Sequence, residues 1–172
     1  NLWINGQFVG YSEDSKTPAE VNITKCLKPG ENSRAVEIFR WCDGSYLEDQ
    51  DFWRMSGITR DVYLLARSEQ QIQDFRVSSG LDETYTNGIF SVNIDVLNLG
   101  ENAASTVVEA VFSDGGTAVE TFSKELTAGK TNVVFDANIP NVKQWSAEIP
   151  NLYEFIITVK NGGNVVEVVK QD

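Results

Sequence analysis

A short acidic and aromatic stretch holds the residues best suited to chemistry. Residues 43–62 read DGSYLEDQDFWRMSGITRDV, and they begin with four closely spaced carboxylates, Asp43, Glu48, Asp49 and Asp51. Two aromatic residues and an arginine follow directly, as Phe52, Trp53 and Arg54. Glycines interrupt the stretch, which fits neither a regular helix nor an alternating strand and therefore predicts a long ordered loop. Such loops often carry function, and the alternative is a solvated acidic turn whose aromatics fill a core.

Two of these acids have the residue types of a general acid/base pair. Glu48 and Asp49 are adjacent in sequence. Neighbours on one loop rarely converge on a single reacting bond, so they are not predicted to be catalytic. Trp41 and Trp53 are predicted to pack under the loop rather than to form a platform for a sugar ring.

Composition excludes several classes of function. The 172 residues include no histidine, so neither a Ser/His/Asp triad nor a histidine metal ligand can be built. The two cysteines, Cys26 and Cys42, are too few for a zinc site, and we favour two buried free thiols over one bridge. A net charge of -11 argues against nucleic-acid and anionic-membrane partners. No apolar run approaches the ~20 residues that span a bilayer, so we expect a soluble protein, cytoplasmic or periplasmic.

The acidic loop lies in an N-terminal segment, residues 1–66, that reads as short β-strands. The dipeptide Asn5-Gly6 is the commonest signal for a two-residue hairpin turn. Strands are predicted at residues 2–4, 8–11, 19–23, 35–41 and 60–66. So few strands, beginning within a hairpin, leave sheet edges unpaired. We therefore expect either a piece of a longer protein or a sheet that something else completes.

After a polar connector at residues 66–71, the pattern becomes regular. Seven strands are predicted, at residues 72–77, 89–97, 106–112, 118–122, 132–135, 153–159 and 165–169. Within residues 90–96 apolar and polar side chains alternate strictly, as a half-buried strand requires. Seven strands without a helix signal predict an immunoglobulin-like or fibronectin-like sandwich. The sequence thus predicts an all-β chain with two domains, residues 1–66 and 67–172.

Three stretches resemble glycoside hydrolase family 2. NGQFVG at residues 5–10, with KPGEN at residues 28–32, is similar to the sugar-binding jelly-roll domain of that family. Residues 45–62 resemble the large bacterial β-galactosidases in particular, and WSAEIPNLY at residues 145–153 resembles the end of the sandwich domain that follows. The resemblance implies the C-terminal half of a jelly roll over residues 1–66 and an immunoglobulin-like sandwich over residues 67–172.

The resemblance also implies a non-catalytic fragment of a β-galactosidase. In that family the two catalytic glutamates belong to a later (β/α)8 barrel, and retaining glycosidases hold such a pair ~5 to 5.5 Å apart. This chain offers no position that matches either one, so no catalytic residue is predicted and the chain alone is expected to be inactive. The implied partners are a galactoside in the context of the parent enzyme, the missing barrel and further copies of a homo-oligomeric parent.

One residue is singled out by the resemblance. Asp51 matches the aspartate that this domain lends to the active site, where it binds the galactose 6-hydroxyl and a sodium ion. A carboxylate suits a hard cation, and neighbouring aromatics can hold the loop stiffly. Asp43 matches a position near a divalent cation in relatives, but we favour a role in capping the turn with Gly44. Sodium and magnesium are therefore implied for the parent, and neither is expected in this fragment.

Two other functions stay open. A stand-alone carbohydrate-binding module should have a complete jelly roll. An adhesion-type structural sandwich would not need the SYLEDQDFWRM loop.

Overall fold

The regular secondary structure of the described residues is almost entirely antiparallel β-structure. The computed structural model describes residues 1–13, 17–47, 57–100 and 105–172. These residues divide into two compact units, unit 1 (Asn1–Leu64) and unit 2 (Leu65–Asp172). None of the helices in these ranges is long and apolar enough to cross a membrane. The predicted all-β fold class is confirmed, and the predicted boundary between independently folding domains stays a prediction.

Unit 1 contains a three-stranded antiparallel sheet in the order β2-β1-β3. Its strands are β1 (Leu2–Ile4), β2 (Gln7–Gly10) and β3 (Arg34–Val36), and its helices are a 3₁₀-helix (Thr24–Cys26) and α1 (Gly44–Leu47). Between β1 and β2, Asn5 has φ 51° and Gly6 has φ 78°. Two successive left-handed residues are what a type I′ hairpin turn requires, so the predicted hairpin is confirmed.

Two of the sequence motifs are joined by the side chain of Asn5. Its amide donates hydrogen bonds to the Cys26 carbonyl at 2.8 Å and to Asn32 Oδ1 at 2.7 Å. Its own Oδ1 accepts the Ser33 N–H at 3.0 Å. Asn32 in turn accepts the Lys28 N–H at 2.9 Å and so closes the KPGEN turn. The hairpin and this turn are therefore held together by amide hydrogen bonds.

Three strand predictions in the N-terminal segment are wrong in whole or in part. Residues 19–23 lead into the 3₁₀-helix, residues 60–66 form no strand, and the predicted strand 35–41 ends at Val36. Alternation produces a strand only where a neighbouring strand supplies hydrogen bonds. No strand pairs with residues 19–23, 38–41 or 60–66 in the part of the chain that the structure describes. The apolar side chains of residues 62–65 are accordingly exposed.

Unit 2 is a sandwich of two antiparallel sheets, in the orders β4-β5-β8 and β10-β9-β6-β7. Its strands are β4 (Gln70–Leu81), β5 (Gly88–Asn98), β6 (Thr106–Asp114), β7 (Thr117–Glu125), β8 (Gly129–Ile139), β9 (Glu154–Asn161) and β10 (Asn164–Gln171). All seven predicted strands are present, and most extend beyond their predicted ends. Strand order and antiparallel pairing agree with the predicted immunoglobulin-like sandwich.

The core of unit 2 lies between the two sheets and follows strand periodicity. Every second residue of β5 is buried, as are the inward residues of the facing β6 and β9. The fully buried members are Val92, Ile94, Val96, Val108, Ala110, Val133, Ile157 and Val159. At one end, Phe90 packs against Phe112 and Phe155, with ring centroids 4.9 and 5.3 Å apart. Aromatic pairs at this spacing add attraction to their burial.

Neighbouring valines on β8 provide a matched test of this core. Val133 is 0% exposed and Val134 is 44% exposed. Val133→Ala should lower the free energy of unfolding by about 2 to 3 kcal/mol, because two methyl groups are removed and a cavity is left. Val134→Ala should change it by less than about 0.5 kcal/mol. Urea unfolding measures both, and equal losses would contradict the assigned faces of β8.

Candidate functional site

The predicted site residue Asp51 lies outside the described residues. The same holds for Glu48, Asp49 and Trp53, since the description stops at residue 47 and resumes at residue 57. The assignment of Asp51 to substrate and sodium therefore stays a prediction. The structure does show the segments that enter and leave the acidic loop.

The first residues of the predicted loop form a tight turn and the short helix α1. The Ser45 N–H donates to the Cys42 carbonyl at 3.0 Å, and the Tyr46 N–H donates to the Asp43 carbonyl at 3.1 Å. The Cys42 N–H donates to Ser45 Oγ at 3.2 Å. Asp43 thus takes part in the turn through its backbone, immediately before Gly44. Both cysteines are free thiols, but Cys26 is only half-buried and Cys42 is exposed, so the expectation that both are buried is wrong.

Trp41 is not buried by the described residues. About half of its surface is exposed, and the Arg40 guanidinium lies 5.5 Å from its ring centroid. This distance is within the range of a cation–π contact. The expectation that Trp41 packs under the acidic loop concerns residues outside the description and stays a prediction.

Negative charge is concentrated beside the entrance to the loop. The Tyr11 hydroxyl donates to the Glu13 carboxylate, and this bond is the largest cause that raises the pKa of Tyr11 to about 12. Desolvation and the negative charges of Glu13 and Asp43 raise that pKa further. Carboxylates from two separate segments of the chain therefore raise the pKa of the Tyr11 phenol. Such a region attracts cations.

Most of unit 1's large apolar side chains face outward. Ile4 is the one buried hydrophobic residue among the described residues of this unit. The exposed aromatic and aliphatic residues nearest the loop in sequence are Phe39, Trp41, Tyr46, Leu47, Ile58, Tyr63 and Leu64. Isolated exposed apolar residues are ordinary, but unit 1 exposes many of them for a unit of its size.

The carboxylate of Asp82 in unit 2 accepts several hydrogen bonds, and sequence reasoning missed it. Asp82 accepts hydrogen bonds from Thr84 Oγ1 at 2.8 Å, from the N–H groups of Thr86 and Asn87 at 3.1 and 3.2 Å, and from Asn87 Nδ2 at 2.8 Å. These bonds, that of Thr84 first, lower the pKa of Asp82 to about 2. All the donors belong to its own turn, so Asp82 closes a hairpin. The sequence signal that could have predicted this role is an aspartate just before the Thr86-Asn87-Gly88 turn, since aspartates often bind the backbone of the turn that they begin.

The described residues contain no ready metal site. In residues 1–13, 17–47, 57–100 and 105–172, no group of three or more His, Cys, Asp or Glu side chains could hold a metal ion. The sodium and magnesium predictions depend on residue 51 and on the parent enzyme, so they stay predictions.

Two family descriptions match consecutive parts of the chain. "Glycosyl hydrolases family 2, sugar binding domain" matches residues 1–68, and "Glycosyl hydrolases family 2" matches residues 70–172. The first range contains the three-stranded sheet and the acidic loop, and the second contains the sandwich. Fold and matches together define β-sandwich modules of a glycoside hydrolase. The chain belongs to glycoside hydrolase family 2, and the resemblance inferred from its motifs is confirmed.

Curated relatives match the whole length of the chain. A β-galactosidase of Priestia megaterium (strain DSM 319 / IMG 1521) is 46% identical over 172 residues, which cover 96% of this chain and 17% of the relative. A β-galactosidase of Clostridium acetobutylicum is 40% identical over 171 residues, which cover 99% of this chain and 18% of the relative. The chain therefore spans less than a fifth of the length of either relative.

Solved structures agree with the fold. A β-glucuronidase of Bacteroides uniformis superimposes with a TM-score of 0.80 at 23% identity, over 98% of this chain and 22% of that one. A β-glycosidase of Bacteroides vulgatus gives a TM-score of 0.74 at 20% identity, over 99% of this chain and 21% of that one. At these identities the likeness shows the fold alone.

The negative charge at the loop entrance can be tested through Tyr11. Glu13→Gln removes the acceptor charge, so the pKa of Tyr11 should fall from about 12 towards its ordinary value of 10.0. Because the folded-state pKa is raised, the contribution of Tyr11 to stability is complete below pH ~10 and is lost as the pH rises towards 12. NMR titration of the Tyr11 ring measures the shift.

Asp43→Asn is the matched control, because Asp43 is a smaller cause of the same shift. It should lower the pKa of Tyr11 by less than Glu13→Gln does. A Tyr11 pKa that stays near 12 in Glu13→Gln would show that Glu13 is not its partner.

Proposed function

We propose that the protein to which this chain belongs is a β-galactosidase that hydrolyses terminal β-galactosides. In this proposal the chain supplies an active-site aspartate loop and a structural sandwich domain. The single observation that carries it is 46% identity with a curated β-galactosidase, maintained over 172 residues that include the acidic loop.

The chemistry of retaining glycosidases explains why this chain is proposed to be non-catalytic by itself. The reaction needs an acid/base carboxylate and a nucleophilic carboxylate about 5 to 5.5 Å apart. The family resemblance assigns neither glutamate to these 172 residues and places both in a barrel. The barrel is thus the proposed partner of the acidic loop, within a homo-oligomeric parent.

Asp51 is the proposed contribution to the site. Its carboxylate would accept a charge-assisted hydrogen bond from the galactose 6-hydroxyl and would serve as a ligand for sodium. Support comes from the loop entrance, where Glu13 and Asp43 already act on Tyr11 as negative charges. The same negative region would favour sodium, and magnesium near Asp43, over any anion.

The exposed apolar residues of unit 1 also support a role within a larger protein. Residues such as Tyr46, Leu47 and Tyr63 each leave four fifths or more of their surface uncovered by the described residues. Contact with the remainder of the parent would remove this area from water, and each Å² of apolar surface buried would contribute about 25 cal/mol of stabilising free energy. Unit 1 is therefore proposed to be stabilised by the protein around it.

A second candidate function follows from the description of residues 1–68 as a sugar binding domain. A carbohydrate-binding module would bind galactosides without the barrel. Calorimetric titration of the 172-residue chain with galactose separates the two functions, since an aspartate loop that needs the barrel should show no binding by itself.

The central residue is tested in the full-length parent. Asp51→Asn keeps the shape of the side chain but removes its charge, so both the cation and the sugar hydroxyl lose a charge-assisted partner. The expected loss in kcat/KM is about tenfold to a hundredfold. Most of the rate response to added sodium should disappear with it. Steady-state kinetics on a chromogenic galactoside, with and without sodium, measure both effects.

Asp49→Asn is the matched control, because it removes the same charge two positions away on the same loop. It should reduce kcat/KM far less. A 6-deoxygalactoside should narrow the gap between Asp51→Asn and the wild type, since part of the interaction is already absent. Equal losses from the two variants, with sodium dependence intact, would mean that the loop is acidic scaffolding.

A further inference from the structure

The polar connector that opens unit 2 is bound by an ion pair between residues a hundred positions apart. Arg67 Nη2 lies 2.5 Å from Glu167 Oε1, and Arg67 Nε donates to the same oxygen at 3.1 Å. Arg67 precedes β4, and Glu167 lies on β10. Both residues belong to unit 2, so the contact is internal to the sandwich.

The pair also binds both backbone groups of a single residue. Glu167 Oε2 accepts the Ile72 N–H at 2.6 Å, and Arg67 Nη2 donates to the Ile72 carbonyl at 2.5 Å. β4 is an edge strand whose one sheet neighbour among the described strands is β5. The N–H and C=O of one residue point to the same side of a strand, so these groups face the open edge. The carboxylate and the guanidinium thus take the place of a neighbouring strand.

Local irregularities explain why a side-chain pair is used here. The pairing of β4 with β5 shifts register between Ile72 and Asp74, and that of β10 with β9 shifts between Val165 and Glu167. Bulges bend a strand and disrupt its hydrogen-bond ladder. Ile72 itself is 4% exposed, and unsatisfied backbone groups at a buried position cost free energy.

Its hydrogen bonds to the Ile72 backbone distinguish this pair from another ion pair of the same sandwich. The side chains of Arg67 and Glu167 are 33% and 19% exposed. Lys160 Nζ and Glu109 Oε2 form a comparable pair at 2.6 Å. Their side chains are 31% and 36% exposed, and this hydrogen bond joins one side chain to the other. A charge-assisted contact that also satisfies backbone groups contributes more than an ion pair between two side chains alone.

Further hydrogen bonds hold the rest of the connector. The Leu99 N–H donates to the Glu69 carbonyl at 3.0 Å, and Gln70 Nε2 donates to the Leu99 carbonyl. Ser68 Oγ accepts the Gln70 N–H at 3.3 Å. Residues 67–70 therefore follow the sandwich surface, although their composition is that of a linker.

We propose that Arg67 and Glu167 form an edge latch. The edge latch caps the open side of β4 at Ile72 and fixes residues 67–70 to the sandwich. It makes the connector part of unit 2, protects the edge against pairing with another chain and controls access to the Arg67–Ser68 peptide bond. This inference is independent of the proposed galactosidase function.

Limited trypsin digestion of the whole chain tests the edge latch, because trypsin cleaves after arginine and its pocket must accept the Arg67 side chain. In Glu167→Ala, cleavage after Arg67 should be about tenfold faster or more, since a charge-assisted contact no longer opposes opening. In the matched control Glu109→Ala, which breaks the Lys160 pair, cleavage after Arg67 should be unchanged. Mass spectrometry of the time course identifies the bond and its rate.

Two further measurements keep the test independent of global unfolding. Hydrogen exchange of the Ile72 amide should speed up in Glu167→Ala and less in Glu167→Gln, which retains an acceptor. Arg67→Lys keeps the charge and the trypsin site, but one ammonium cannot reproduce the geometry of the guanidinium at both Glu167 and the Ile72 carbonyl. It should also be cleaved faster in a folded sandwich. Unchanged cleavage and Ile72 exchange in these variants, or equal acceleration in Glu109→Ala, would overturn the proposal.

Discussion

Burial of one face of each of two sheets is the constraint on which the sandwich depends. Val92, Ile94 and Val96 face inward from β5, and Val108 and Ile157 face them from the other sheet. Because side chains alternate along a strand, a slip of one residue would move this whole set into water. The register of the central strands is therefore fixed by the core, and most polar residues occupy the outer faces, edges and turns.

The edges and the turns show how polar groups complete that arrangement. Asp82 closes the hairpin between β4 and β5 with donors from its own turn, and the pair of Arg67 and Glu167 binds the backbone of Ile72 at a sheet edge. In each case a carboxylate accepts hydrogen bonds from backbone N–H groups that have no partner in a neighbouring strand. Unit 1 differs, because among its described residues only Ile4 is buried. Its proposed place within a larger glycosidase accounts for that difference.

The regular half of the chain could be predicted from sequence because its signals are local. The alternation of residues 90–96 and the turn at Thr86-Asn87-Gly88 mark strands without reference to the rest of the fold. Alternation was not sufficient in the predicted strand 35–41, which ends at Val36, since pairing depends on a neighbouring strand and no local pattern reports one. The edge latch could not be predicted, because Arg67 and Glu167 meet only after both sheets form. Asp51 was assigned by resemblance, and that assignment depends on groups that this chain does not supply.

The proposed role of the acidic loop makes a geometric claim about the parent enzyme. Crystallography of the full-length protein with a bound galactoside and sodium tests that claim most directly. The account predicts a carboxylate oxygen of Asp51 within hydrogen-bond distance of the 6-hydroxyl, about 2.5 to 3.0 Å, and a sodium ion coordinated by the same carboxylate. An Asp51 side chain directed into solvent, with the sugar and the sodium ion bound entirely by other residues, would contradict it.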